Sequence, residues 1–224
     1  ELMQALRRRF DVPDGAAVVL GNGSDELISL VTMACARPGA SVLAPLPGFV
    51  MYEMSARLHH VRFHGVALQA DFSLDVPAML QAIRQHRPSV VYLAYPNNPT
   101  ANLWSRDDMA AVMAAQREQG GLVVVDEAYQ PFAAHTWMDE LRAAPAQHDH
   151  VLLMRTLSKF GLAGARVGYL AGPPALVAEL EKLRPPYNVS VLNAECALFA
   201  LEHAAVFEEQ AEQIRAARDA LHAA

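Results

Sequence analysis

The sequence predicts an α/β fold, a three-layer sandwich in which a mainly parallel sheet lies between two layers of helices. Three observations carry this reading. Short β-branched runs alternate with stretches of helical periodicity along the chain. Most of the runs are predominantly apolar rather than alternating apolar and polar, the pattern of strands covered on both faces. Polar and glycine-bearing clusters follow the runs, where the strands of such a sheet present their carboxyl ends.

In chain order the runs are VVL at 18–20, SVLA at 41–44, VRFHGVAL at 61–68, SVVYLAY at 89–95, LVVVD at 122–126, HVLLMR at 150–155 and VGYLAG at 167–172. A helix is expected to open near Leu27, after the first run. Another is expected from Ser105, its N-cap, through Asp107 and Asp108 in the first turn to a stop at Gly120-Gly121. The pattern admits an antiparallel strand near the end. No internal repeat or low-complexity linker interrupts it. Pro185-Pro186 breaks the chain before a last helical region, so residues 1–184 read as one large domain and residues 185–224 as a helical segment. That segment ends within FEEQAEQIRAARDALHAA, without a cap, and is expected to lead toward a C-terminal small domain missing from these residues.

Composition narrows the function. With 224 residues, 53% of them hydrophobic, the chain can bury a large core. A net charge of −6 offers no basic field for a nucleic-acid backbone or an anionic membrane surface, and no apolar run approaches the roughly 20 residues of a membrane span. Cys35 and Cys196 sit in apolar helical contexts and read as buried thiols of a reducing compartment, so a cytoplasmic location is expected. His59, His60, His64, His148 and His150 fall in loop-like or edge positions without metal-ligand spacing, and no metal site is expected.

Four clusters carry candidate chemistry. Gly21-Asn22-Gly23-Ser24-Asp25-Glu26 opens a helix, whose free N–H groups and partial positive charge make an anion seat; Glu26 stands where a dinucleotide fingerprint needs glycine. A plain helix cap is the bland alternative. Pro96-Asn97-Asn98-Pro99-Thr100 follows a strand, its prolines stiffening the turn and leaving two amide side chains to point into a cleft. The apolar strand Leu122–Val125 ends in Asp126-Glu127-Ala128-Tyr129, and no loop ending in Gly-Lys-Ser/Thr exists to make Asp126 a magnesium ligand of an ATPase. The fourth, from Thr156 to Arg166, places Lys159 among glycines and apolar residues, where partial desolvation favours a neutral, nucleophilic amine suited to a Schiff base. A solvated loop lysine is the bland alternative there.

In the order GNGSDELI, PGFVMY, YPNNPT, VVVDEAY, RTLSKFGLAGARVGY and RPPYNVS, the sequence resembles the fold-type-I pyridoxal-phosphate-dependent aminotransferases, and among them the histidinol-phosphate aminotransferases. The resemblance runs through essentially the whole chain. It implies that residues 1–184 form the pyridoxal 5'-phosphate-binding large domain and that Lys159 carries the cofactor and acts as catalytic base and acid. It further implies that Asp126 pairs with the pyridine nitrogen, that Tyr129 and Asn98 bond the phenolic oxygen, and that Phe49 stacks on the ring. The phosphate is then held by the amides of Ser24 and Asp25, the Ser158 hydroxyl and the Arg166 guanidinium. The implied activity is transamination between an amino donor, L-histidinol phosphate, and a 2-oxo acid acceptor, 2-oxoglutarate, in histidine biosynthesis by a homodimer. An aromatic-amino-acid aminotransferase and a lyase such as threonine-phosphate decarboxylase share the same cofactor residues. A regulatory or dimerisation module is the non-enzymatic alternative.

Three departures from the family pattern stand out. Ala101 and Asn102 follow Asn-Pro-Thr where relatives carry glycine, so one of them is expected to take any left-handed position in that turn. Arg166 lies seven positions after Lys159, one fewer than is common, and is chosen over Arg155 on its Gly-x-Arg-x-Gly-Tyr context. The substrate-binding small domain and the N-terminal segment are expected to lie outside these residues, which alone are expected to have little or no transaminase activity.

Overall fold

The computed structural model describes residues 1–223. In chain order its elements are α1 (Leu2–Arg9), β1 (Ala17–Gly21), α2 (Gly23–Ala34), β2 (Ser41–Leu46), α3 (Met51–Leu58), β3 (Arg62–Ala67), α4 (Val76–His86), β4 (Val90–Ala94), α5 (Arg106–Glu118), β5 (Leu122–Asp126), α6 (Met138–Ala143), β6 (Val151–Thr156), β7 (Gly168–Gly172), α7 (Pro174–Glu181), α8 (Val191–Glu202) and α9 (Ala204–Ala223), joined in places by short irregular helical turns.

The seven strands form one sheet in the order β1-β7-β6-β5-β4-β2-β3. Only β7 runs against its neighbours, β1 and β6; the other pairs are parallel. The carboxyl ends of β1, β2, β4, β5 and β6 therefore share one edge with the start of β7.

Alternation along the strands divides the core in two. Val91, Leu93, Val123, Val125 and Leu153 face a cluster with Leu6 of α1, Ile83 of α4 and Met109 of α5. Val90, Tyr92, Val124, Leu152 and Met154 face a second cluster with Leu27 and Ile28 of α2, Ala56 of α3 and Leu180 of α7. Both faces of the central strands are covered, which is why they read as nearly unbroken apolar runs, whereas the edge strand β3 is part-exposed and carries Arg62 and His64. Each fully buried Leu, Ile or Val contributes roughly 1.5–3 kcal/mol.

The capping chemistry is local. The Ser105 side chain accepts from Asp108 N–H at the start of α5, and the chain turns out of that helix at Gly120 (φ 72°). Helix α2 begins at Gly23, four residues before the position expected from periodicity. The Glu26 carboxylate reaches back to accept the Asn22 N–H at 2.7 Å, closing a turn among polar residues that no apolar pattern reports. Cys196 is exposed rather than buried: α8 turns Ala197, Ala200 and Leu201 inward, and Cys196 falls beside that stripe. Cys35 is half-buried, and burial pushes its thiol up to about 11.

Candidate active site

A cavity of about 200 Å³ lies at the shared strand edge. Ser24 and Asp25 reach it from the first turn of α2, Phe49 from the loop before α3, and Asn98 from the turn after β4. Asp126 enters from the end of β5, with Tyr129 three residues on. Ser158, Lys159 and Arg166 enter from the connection between β6 and β7. All nine residues singled out from the sequence line this one cavity.

Its floor is a buried acid. Asp126, 4% exposed, accepts from the Ala128 N–H at 3.0 Å on Oδ1 and from the Tyr52 hydroxyl at 2.7 Å on Oδ2. Burial pushes this carboxyl up to about 6, and the two hydrogen bonds oppose the rise. Beside it Glu127, 1% exposed, is held by Arg155 of β6 through Nε at 2.9 Å and Nη2 at 2.8 Å, and by the Thr136 hydroxyl at 2.9 Å. Arg155 is thereby committed to a buried ion pair behind the cavity, while Arg166 lines it.

The anion seat is assembled by close approach of two loops. The first N–H groups of α2 have no partner within the helix and carry its positive end. Gly23 sits at φ 78°, and a Cβ there would lie 2.6 Å from Arg166 Nη2; a Cβ on Gly168 would lie 2.9 Å from Ser24 N. Only glycine allows this approach of β7 to α2. Arg166 itself holds φ 48°, with Nη1 3.4 Å from Ser158 Oγ and Nη2 3.3 Å from Asp25 Oδ2. Ser158 Oγ also accepts from Thr156 Oγ1 at 2.9 Å.

Two expectations change, and a third is resolved between its two candidates. Lys159 stands exposed at the rim rather than desolvated, its Nζ 5.1 Å from the Tyr129 ring centroid, because the turn instead buries Phe160 against Phe207 and Phe10. Asn97 turns away from the cleft and donates to Pro47 O at 3.1 Å and to Thr100 Oγ1 at 2.7 Å, leaving Asn98 as the amide at the cavity. Ala101 takes the left-handed conformation, φ 61°, that glycine would hold without steric cost. Of the histidines, His150 is buried at the start of β6, with Nε2 3.0 Å from Met113 O. Among the described residues no group of three or more His, Cys, Asp or Glu side chains is placed to hold a metal.

Sequence reasoning missed Tyr52 and Thr156, which line the same cavity. Both lie inside the quoted motifs, and Tyr52 is the last residue of PGFVMY, but its partner Asp126 is 74 positions away. A larger cleft of about 670 Å³ opens between α1 and α9, and its arginines are engaged by the chain: Arg9 with Glu208, Arg215 with Pro131 O, and Arg218 with Phe132 O and Asp219. No residue predicted for the site lines it.

The donors suit a phosphorylated pyridine aldehyde: an anion seat of helix N–H groups, hydroxyl and guanidinium, an amine, a buried carboxylate for a ring nitrogen, and an aromatic side chain. Comparison with known proteins is consistent with that chemistry. The chain is 66% identical over its whole length to the histidinol-phosphate aminotransferase of Methylibium petroleiphilum and 63% identical to that of Paracidovorax citrulli. It spans about 60% of the length of these curated relatives. Its fold matches the crystal structure of the Sinorhizobium meliloti histidinol-phosphate aminotransferase in complex with pyridoxal-5'-phosphate, with TM-score 0.85 and 28% identity over 97% of this chain and 58% of that one. The family model for aminotransferase class I and II matches residues 1–224, and the chain belongs to that family.

Proposed function

We propose that the chain forms the pyridoxal 5'-phosphate-binding part of an aminotransferase that transfers the amino group of L-histidinol phosphate to 2-oxoglutarate in histidine biosynthesis. The observation that carries the proposal is the single cavity in which Lys159, Asp126 and the seat of Ser24, Asp25, Ser158 and Arg166 meet. When bound, the cofactor supplies an aldehyde with which amines condense and a ring that withdraws electrons from the donor's α-carbon.

The residues divide the work. Lys159 Nζ would hold the cofactor's aldehyde carbon, and as a free amine it would serve as the general base and acid that moves the proton of the donor's α-carbon. Its exposed rim position would leave the amine free to move. Asp126 would pair with the ring nitrogen and keep a proton there. Tyr129 and Asn98 would donate to the phenolic oxygen, and Phe49 would cover the ring. The N–H groups of Ser24 and Asp25, the Ser158 hydroxyl and the Arg166 guanidinium would hold the phosphate.

The 66% identity to a histidinol-phosphate aminotransferase supports this donor over an aromatic amino acid. Residues 1–184 then serve as the cofactor domain, and residues 185–224 lead toward the rest of the enzyme. The partners are small molecules and a second copy of the chain. Tyr187, Val191, Leu192 and Phe199 are exposed in the last segment, which supports a homodimer. No helix of the described residues is long and apolar enough to cross a membrane, and a biosynthetic role fits the cytoplasm.

Mixing the chain with pyridoxal phosphate is expected to produce a visible absorbance band that borohydride traps at Lys159. Absence of the trapped adduct overturns the cofactor reading. On a protein of the relatives' full length, histidinol phosphate should outrun phenylalanine as donor. Carbon dioxide release in place of amino transfer identifies a lyase instead.

A further inference from the structure

We infer that Tyr52 is a positioning residue for this reaction: its hydroxyl, donated to Asp126 Oδ2, holds that side chain as a carboxylate facing the cavity, an inference that rests on the pyridoxal-phosphate reading.

The geometry leaves the hydroxyl little freedom. Tyr52 is 2% exposed, on α3, with its ring stacked on Tyr92 of β4 at 4.5 Å and 10° and met edge-on by Phe49 at 5.7 Å and 87°. The Tyr92 hydroxyl is engaged elsewhere, with Ile28 O at 3.2 Å and Thr32 Oγ1 at 3.4 Å. The Tyr52 hydroxyl therefore meets Asp126 Oδ2 at 2.7 Å from a fixed direction, while the Ala128 N–H takes Oδ1.

The chemistry explains why a neutral donor stands here. The charged and titratable groups around Asp126 are Asp25 of α2, Tyr52, Tyr92, and Glu127, whose charge is met by Arg155 of β6; Lys159 and Arg166 share the cavity. Burial, Asp25 and Glu127 all work against a charge on Asp126. A cation against Oδ2 would counter them but would also neutralise the carboxylate that a protonated ring nitrogen needs. A phenol strengthens the carboxylate's hold on its charge and adds none of its own. Burial and the adjacent acid keep the Tyr52 phenol protonated far beyond the ordinary tyrosine range, so it remains a donor.

The test uses the cofactor-loaded chain and reads the pH dependence of its visible band. Tyr52→Phe keeps the stacked ring and removes only the hydroxyl. It should still give the borohydride adduct at Lys159, with the band's pH midpoint moved by about one unit and cofactor affinity lowered about tenfold. In an Asp126→Asn background the same substitution should leave the midpoint where Asp126→Asn alone puts it, because the hydroxyl acts through the carboxylate. Tyr92→Phe, which loses an equally buried hydroxyl not bonded to Asp126, should leave it in place. If Tyr52→Phe does not fold, 3-fluorotyrosine at position 52, a stronger donor of nearly the same shape, should move the midpoint the opposite way. An unmoved midpoint, an undiminished effect beside Asp126→Asn, or an equal effect from Tyr92→Phe overturns the inference while leaving the cofactor assignment intact. Failure of the wild-type chain to form the adduct instead overturns that assignment, and the inference with it.

Discussion

The two ends of the cavity are built on opposite principles. At the floor and just behind it, Asp126 and Glu127 are 4% and 1% exposed and each carries hydrogen bonds at 3.0 Å or less. At the rim, Asp25 and Arg166 meet at 3.3 Å with side chains 45% and 44% exposed, and Lys159 stands in solvent. Charges withdrawn from water need partners at fixed geometry, whereas exposed charges are screened and exchange partners at little cost. On the proposed function, the floor would hold one orientation of a ring while the rim would admit substrate and leave the lysine free to move. Substitutions at the two ends should differ accordingly.

The largest effect is all-or-none: Lys159→Ala should abolish the borohydride-trapped adduct while leaving the melting temperature nearly unchanged, because an exposed rim side chain supports no packing. Mass mapping and a thermal scan check both halves. Next, Glu127→Ala should destabilise the chain by roughly 3–5 kcal/mol by leaving Arg155 buried without its partner, and an apolar pair at both positions should recover most of that loss in urea unfolding.

Asp126→Asn should act in the other direction on the cofactor-free chain. The folded carboxyl holds its proton up to about pH 6, whereas an unfolded aspartate releases it near pH 4, so its contribution is full in acid and lost as pH rises through about 6. At about pH 8 the substitution should raise stability by about 1–2 kcal/mol, and the gain should vanish near pH 4. A destabilised variant at pH 8 would show that the Tyr52 and Ala128 bonds outweigh the burial. Ala101→Gly, which relieves a left-handed alanine, should add about 1 kcal/mol in the same assay. The smallest effect belongs to the rim: Asp25→Asn should change stability by less than about 0.5 kcal/mol, yet tighten phosphate-dependent cofactor binding by freeing Arg166, an effect that added salt should diminish.

Much of this architecture is legible along the chain. All seven strands appear as runs within two residues of their ends, six of them because strands covered on both faces require mostly apolar side chains, while the edge strand β3 keeps Arg62 and His64 and buries no residue. Ser105 marks its helix because capping is a contact between near neighbours. What escaped the sequence has partners far along it. Tyr52 and Asp126 are 74 positions apart, and Glu127 and Arg155 are 28 apart. The inward turn of Asn97 is set by Pro47 across the loop, and the exposure of Lys159 follows from Phe160 claiming the interior.

The sequence alone determined the α/β alternation and the strand-end location of the chemistry, since both depend on residue type and local spacing, and its resemblance to a known family pointed to the nine side chains that line one cavity. Only the tertiary structure decided how those side chains are charged and held: which acid is buried, which arginine is spent on an ion pair, and which tyrosine supports Asp126. Hydrogen-bond geometry and desolvation depend on what lies within a few ångströms in space, and strands distant in sequence supply most of it.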